Sequence, residues 1–236
     1  MLKDLFTQKQ PIVSAPARSQ VSRRKFLGLT TAGAGLIVMA SSCNREELLS
    51  ETDDEDDFNL GSGDIGILNY AYALEQLEAA FYVQVIMSKY SGMSAMEASL
   101  ITDIRDHEIA HREFFKNALG DAAIGQLEFD FSSINFGSRD SVLGTAKAFE
   151  DLGVSAYNGA GRLIESPDYL LLAGKIVSVE ARHAAYIRDL IDFGSFADSD
   201  VVNAQGLDVS RKPSEVLPIA ATYIKTKINA DNLPTY

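Results

Sequence analysis

Cysteine occurs once in the 236 residues, at Cys43, and tryptophan not at all. A single thiol excludes an intrachain disulfide framework, and the lack of any thiol after Cys43 excludes a thiolate-held metal in the body of the chain. Basic residues are scarce there too. Residues 1–43 hold six Lys and Arg against one Asp, which leaves 15 basic against 32 acidic residues in the remainder. So acidic a body lacks the footprint of nucleic-acid binding, and no nucleic acid is expected as a partner. The weakly apolar run from Gly28 to Ala40 is too short to span a bilayer as a mature helix. Histidine is limited to His107, His111 and His183.

The first 43 residues read as an address. Ser22-Arg23-Arg24-Lys25-Phe26-Leu27 is a twin-arginine pattern ahead of the short apolar run. Ala40-Ser41-Ser42 directly before Cys43 resembles a bacterial lipoprotein cleavage box and predicts lipidation of Cys43; the competing reading is a stray cysteine with cleavage near Ser42. Export by the twin-arginine route to the periplasmic side is expected, with a lipid anchor holding the protein to a membrane without spanning it. Residues 44–63 follow as an acidic linker, whose like-charged run from Glu46 to Asp57 stays solvated.

Two of the three histidines carry a glutamate three residues earlier: Glu108-Ile109-Ala110-His111 and Glu180-Ala181-Arg182-His183. In a helix that spacing puts both side chains on one face, where they can reach one ion. Apolar periodicity predicts a first helix from Asp64 to about Tyr90, broken at Ser91-Gly92. Ser94-x-x-Glu97 is a capping box opening a second helix, which Gly120 stops after Leu119. A third helix runs from about Arg139 to Asn158, and Ser166-Pro167 opens a fourth that reaches about Phe193. Short connections make each pair an antiparallel hairpin. The roughly twenty residues between the hairpins can travel the length of a helix.

In such a hairpin, residues equally far from the turn lie at the same height. Counted from Gly92, Glu108 is 16 residues after and Glu75 is 17 before; counted from Glu165, Glu180 is 15 after and Glu150 is 15 before. One residue of mismatch is about 1.5 Å, so four carboxylates reach corresponding levels. The halves also repeat each other. Leu74-Glu75-Gln76-Leu77 with Tyr82 matches Phe149-Glu150-Asp151-Leu152 with Tyr157, and Glu108-x-x-His111-x-x-Phe114 matches Glu180-x-x-His183-x-x-Tyr186. Glu78 shares the face of Glu75, but its counterpart is Gly153. Glu75 is therefore the expected ligand, with Glu78 at the mouth of the site or behind the ligands. His107 lies about 100° around the helix from Glu108 and is expected off the site, the lesser reading being a place behind the ligands.

Residues 64–193 resemble the ferritin-like superfamily of the bacterioferritin and rubrerythrin ligand type. More narrowly, Leu68-Asn69-Tyr70-Ala71 and Leu77-Glu78-Ala79-Ala80-Phe81-Tyr82 resemble bacterial ferritin-like-domain proteins related to plant desiccation-related proteins. The resemblance implies an all-α, ferritin-like four-helix bundle with a long crossover, followed in residues 194–236 by an extension with a short helix near Ser214–Leu217. It implies metal ligands Glu75, Glu108, His111, Glu150, Glu180 and His183 around two Fe, alternatively two Mn, with O2 or peroxide as partner. Two divalent ions would neutralise the four carboxylates, whose unpaired burial would be prohibitive. Glu108 and Glu180 are expected to bridge, with Glu75 and Glu150 terminal and one histidine capping each ion. Tyr82 and Tyr157 hydrogen-bond carboxylates or donate an electron in this reading, or are ordinary core tyrosines. The expected activity is a di-metal oxidoreductase; the alternative is a non-catalytic, membrane-tethered stress- or desiccation-protective bundle. The export signal departs from cage-forming ferritins, and homo-oligomerisation stays open.

Overall fold

A computed structural model describes residues 57–236; the twin-arginine stretch, Cys43 and most of the acidic linker lie outside the described residues. Four long helices form the bundle: α1 (Gly63–Met87), α2 (Ala95–Leu119), α3 (Arg139–Ala160) and α4 (Pro167–Ile191). Their ends follow local chemistry. The Ser94 hydroxyl accepts from Glu97 N–H while the Glu97 carboxylate accepts from Ser94 N–H, completing the capping box. Gly120, at φ +55°, ends α2. Ser166 caps α4, with Pro167 in its first turn. Helix α1 stops at Met87, short of the expected Tyr90, because Tyr90 turns back into the core ahead of Gly92 at φ +82°.

Helices α1 and α2 pack mainly on each other, as do α3 and α4, giving the expected pair of hairpins. Every residue of α1 from Gly66 to Ala79 is buried, polar ones included. A helix enclosed on all sides needs partners for its polar groups, and the crossover supplies them. Asn69 Nδ2 donates to the carbonyls of Leu60 and Ala122 (3.0 and 2.9 Å), and its Oδ1 accepts from Ile124 N–H (2.9 Å). Two turns on, Gln76 accepts from Leu127 N–H and donates to the Gly125 carbonyl. Further along, Phe81 meets Phe131, Phe136 and Phe149 with ring centroids 5.1–6.1 Å apart. The crossover thus lies along α1, as a hairpin–crossover–hairpin topology requires.

The segment after α4 includes the expected short helix, α5 (Pro213–Ala220). It then threads back to the crossover, where Lys225 N–H donates to Glu128 O and Asp130 N–H to Tyr223 O. Strand β1 (Phe58–Asn59) pairs in parallel with β2 (Ile228–Asn229), joining the two ends of the described chain. Arg188, 3% exposed, donates to both oxygens of Asp151 on α3 and to both of Asp200 in the extension. Gly159 on α3 lies directly under the backbone of Arg211. Among the described residues no helix is long and apolar enough to cross a membrane.

Candidate metal centre

The four glutamates singled out by level and repeat meet in the bundle interior. Glu75, Glu108, Glu150 and Glu180 are each fully buried, with His183 buried and His111 nearly so beside them. Their donor atoms form two overlapping groups, Glu75–Glu108–His111–Glu180 and Glu108–Glu150–Glu180–His183, each able to hold a metal ion and each with all donors within 4.8 Å of one another. His111 Nδ1 lies 2.8 Å from Glu180 Oε1, 3.5 Å from Glu75 Oε2 and 3.6 Å from Glu108 Oε2. His183 Nδ1 lies 2.7 Å from Glu108 Oε1 and 3.5 Å from both Glu150 Oε2 and Glu180 Oε2. Glu108 and Glu180 therefore offer one oxygen to each group, whereas Glu75 and Glu150 serve one group each.

Short as they are, none of these contacts is a formed hydrogen bond. Both Nδ1 atoms, both oxygens of Glu108 and Glu180, and Oε2 of Glu75 and Glu150 are buried without a hydrogen-bond partner. Eight donor atoms converge on two points and are aligned with nothing among themselves. Left so, each would cost about 1–3 kcal/mol, which native interiors avoid. Divalent cations at those points satisfy all eight, so the residues fit a metal pair.

The remaining carboxylate oxygens are held crosswise. Tyr82 on α1 donates to Glu150 Oε1 on α3, and Tyr157 on α3 donates to Glu75 Oε1 on α1. Burial first, and then the adjoining carboxylates, push both phenols well above their ordinary range, so they stay protonated donors. Each tyrosine fixes one carboxylate oxygen and leaves the other facing its group.

His107 is not off the site. Its Nδ1 lies 2.9 Å from His183 Nε2, with the two rings stacked at 5.2 Å between centroids. The 100° offset on its own helix is real, but the side chain reaches across to α4, which helical-wheel reasoning about α2 alone cannot register. With His183 Nδ1 turned inward to face a cation, its Nε2 would carry the proton that His107 Nδ1 accepts. His107→Phe, which keeps a ring and removes the acceptor, is expected to weaken metal binding by about tenfold or more. Chelator competition measures this, and an unchanged affinity would leave His107 a surface residue.

Glu78 lies outside both donor groups. It is buried opposite Gly153, where an added Cβ would sit 2.9 Å from Glu78 Oε1, so the glycine makes room for the extra carboxylate. Burial, then the neighbouring Glu108 and Glu180, raise its carboxyl well above the ordinary range.

Without a cation the centre is neutralised by protons. Burial, then Glu180, raise Glu75 well above the ordinary carboxyl range, and burial lifts Glu150 to about 8 despite His183 beside it. Burial would push Glu108 up as well, but the two close imidazoles outweigh it and hold it down at about 2. The reciprocal effect overrides burial at the imidazoles, lifting His111 to about 12 and raising His183 strongly. Protons are thus favoured on both imidazoles and on the Glu75 and Glu150 carboxyls of the metal-free centre. Loading is expected to expel protons and to weaken as pH falls, because acid retains the competing protons. Titration calorimetry in two buffers of different ionisation enthalpy measures the number, and no net release would contradict it.

Four carboxylates and two imidazoles projecting inward from two helical hairpins make a carboxylate-rich helical bundle whose buried group could hold metal ions. A family model described as ferritin-like domain matches residues 63–192, and the chain belongs to that family. No curated protein matches the chain.

Proposed function

We propose that this ferritin-like protein holds a pair of redox-active divalent ions, two iron or alternatively two manganese, and acts as an oxidoreductase toward O2 or peroxide, with Fe(II) as an oxidisable substrate. The observation that carries the reading is the convergence, in two groups, of eight buried donor atoms without hydrogen-bond partners. Oxygen-rich groups with one imidazole apiece favour iron or manganese over thiolate-loving ions. Glu108 and Glu180 would bridge, Glu75 and Glu150 would bind terminally, and His111 and His183 would each cap one ion. When bound, two adjacent redox ions supply two electrons to an oxidant. The chain positions the donors through the tyrosine bonds and keeps bulk water out through the buried helices. Tyr82 and Tyr157, bonded directly to ligand carboxylates, are also the residues placed to give up single electrons.

The same reading places the bundle on the periplasmic side, exported by the twin-arginine signal and tethered through Cys43 with residues 44–63 as spacer. The test uses the mature chain from Asn44. About two iron or manganese per chain, with absorbance changes when O2 or H2O2 meets the Fe(II)-loaded protein, is the expected result. A metal-bound, folded protein that turns over neither Fe(II), O2 nor H2O2 would replace the enzyme with a tethered bundle stapled by its ions.

A further inference from the structure

Among the described residues five glutamates are buried, and Glu78 is the one outside both donor groups. It is 3% exposed, and no hydrogen bond or ion pair holds it to another described residue. Burying a carboxyl without a partner costs stability, so packing alone gives no reason for it. All four glutamates of the centre are among the charges that act on it.

The internal repeat gives Glu78 a particular place. It follows Glu75 by three residues and precedes Tyr82 by four, just as Gly153 follows Glu150 by three and precedes Tyr157 by four. The two positions are equivalent, and they also face each other, since a Cβ on Gly153 would sit 2.9 Å from Glu78 Oε1. Equivalent positions of a two-fold arrangement that meet lie on its axis. The bonds Tyr157–Glu75 and Tyr82–Glu150 then fall one on each side of that axis, as do the two donor groups. A carboxylate on the axis is placed alike toward both groups, and the close approach leaves room for one carboxylate only.

Charge decides what that carboxylate is for. Four ligand carboxylates, two neutral imidazoles and two divalent ions sum to zero without Glu78. Each ion gives one electron to the oxidant, so that with two protons O2 becomes H2O2, or H2O2 becomes two waters. The pair then carries two more positive charges than its ligands balance. In a buried site such an excess is costly, and a fixed anion close by offsets it. Resting on the dinuclear oxidoreductase reading above, we propose that Glu78 is the residue that fits this centre to trivalent ions: dispensable while the pair is divalent, and needed to retain it once oxidised.

The test compares two ions that undergo no redox change, Zn(II) and Ga(III), so that valence is read without any turnover. Affinities are measured by competition against a chelator of known strength. Glu78→Gln keeps the shape of the side chain and removes its charge. It is expected to weaken Ga(III) binding by about a hundredfold while leaving Zn(II) within about threefold. The metal-free variant should melt no lower than the wild type, because it gives up a buried carboxyl without a partner. The axis supplies a second variant: Glu78→Gly combined with Gly153→Glu returns the carboxylate from α3, and should recover Ga(III) affinity to within about tenfold of the wild type. Equal losses for both ions with a lower melting temperature would make Glu78 a structural residue and overturn the proposal. Unchanged Ga(III) affinity in Glu78→Gln, or a wild type that takes up Zn(II) but no Ga(III), would overturn it too, leaving the dinuclear reading standing. A wild type that binds no pair of Zn(II) ions would overturn the dinuclear reading and, with it, this proposal.

Discussion

Glu108→Ala is expected to empty both halves of the centre, not one. Glu108 gives Oε2 to the His111 group and Oε1 to the His183 group, so its removal withdraws a donor from each. Glu75→Ala and Glu150→Ala should differ in kind, since each touches a single group. Metal analysis after loading at equal free metal should give about two ions per chain for the wild type, about one for either terminal variant and close to none for Glu108→Ala. Stability should follow. An ion present at a thousand times its dissociation constant adds about 4 kcal/mol, and the rise in melting temperature on loading should vanish in Glu108→Ala. Retention of one ion would make Glu108 a terminal donor, and retention of two would remove it from the centre. Glu180→Ala should behave as Glu108→Ala does, because its two oxygens are divided in the same way.

The second large effect lies away from the centre. Gly159→Ala should destabilise the fold, against the sign that helix propensity predicts. Within an exposed helix, Ala for Gly adds about 1 kcal/mol. At Gly159, however, a Cβ would fall 1.7 Å from the Arg211 carbonyl oxygen and 2.5 Å from its carbon. That backbone is held where it is. Arg211 N–H donates to Ser155 O at 3.0 Å, its guanidinium donates to Ser155 Oγ at 2.8 Å, and Asn158 donates to Val209 O at 3.0 Å. The methyl group can be admitted only by pulling the extension off α3, which should cost about 3 kcal/mol. Gly144→Ala and Gly174→Ala, on exposed helix faces with nothing within 4 Å of the added atom, are the controls and should stabilise. Denaturant midpoints for the three variants decide the sign, and early proteolysis near Arg211 should accompany the loss in Gly159→Ala. A stabilised Gly159→Ala would mean that the extension does not rest on α3 in solution.

What could be read from the residues beforehand follows a simple division. Helical period and turn position are local quantities, and they were enough to place Glu75 and Glu150 level with Glu108 and Glu180, the four carboxylates that the fold buries together. Capping at Ser94 and Ser166 was equally local. Contacts between segments were not legible. Tyr82 and Tyr157 were expected near carboxylates, but their crossing, each to the glutamate of the other hairpin, depends on how α1 faces α3. The angle of His107 on α2 favours a place off the site, whereas its partner lies on α4. Apart from α5 the extension is irregular, without a period to read, and it is positioned by backbone hydrogen bonds that it donates to Ser155 and Glu128 and accepts from Leu60. Even Asn69 and Gln76, which look like interruptions of an apolar helix, make sense only once the crossover lies beside them.

The crosswise tyrosine bonds and the divided carboxylates mean that neither hairpin owns a complete donor group. The His111 group borrows Glu180, the His183 group borrows Glu108, and each terminal glutamate is oriented by a phenol from the opposite side. A gene cut within the crossover would yield two fragments that are each half of both sites, able to hold their ions only after finding each other. The chain has the form of one two-helix unit repeated twice. Ala156 beside Tyr157, Gly153 opposite Glu78 and His107 over His183 mark where the two halves differ.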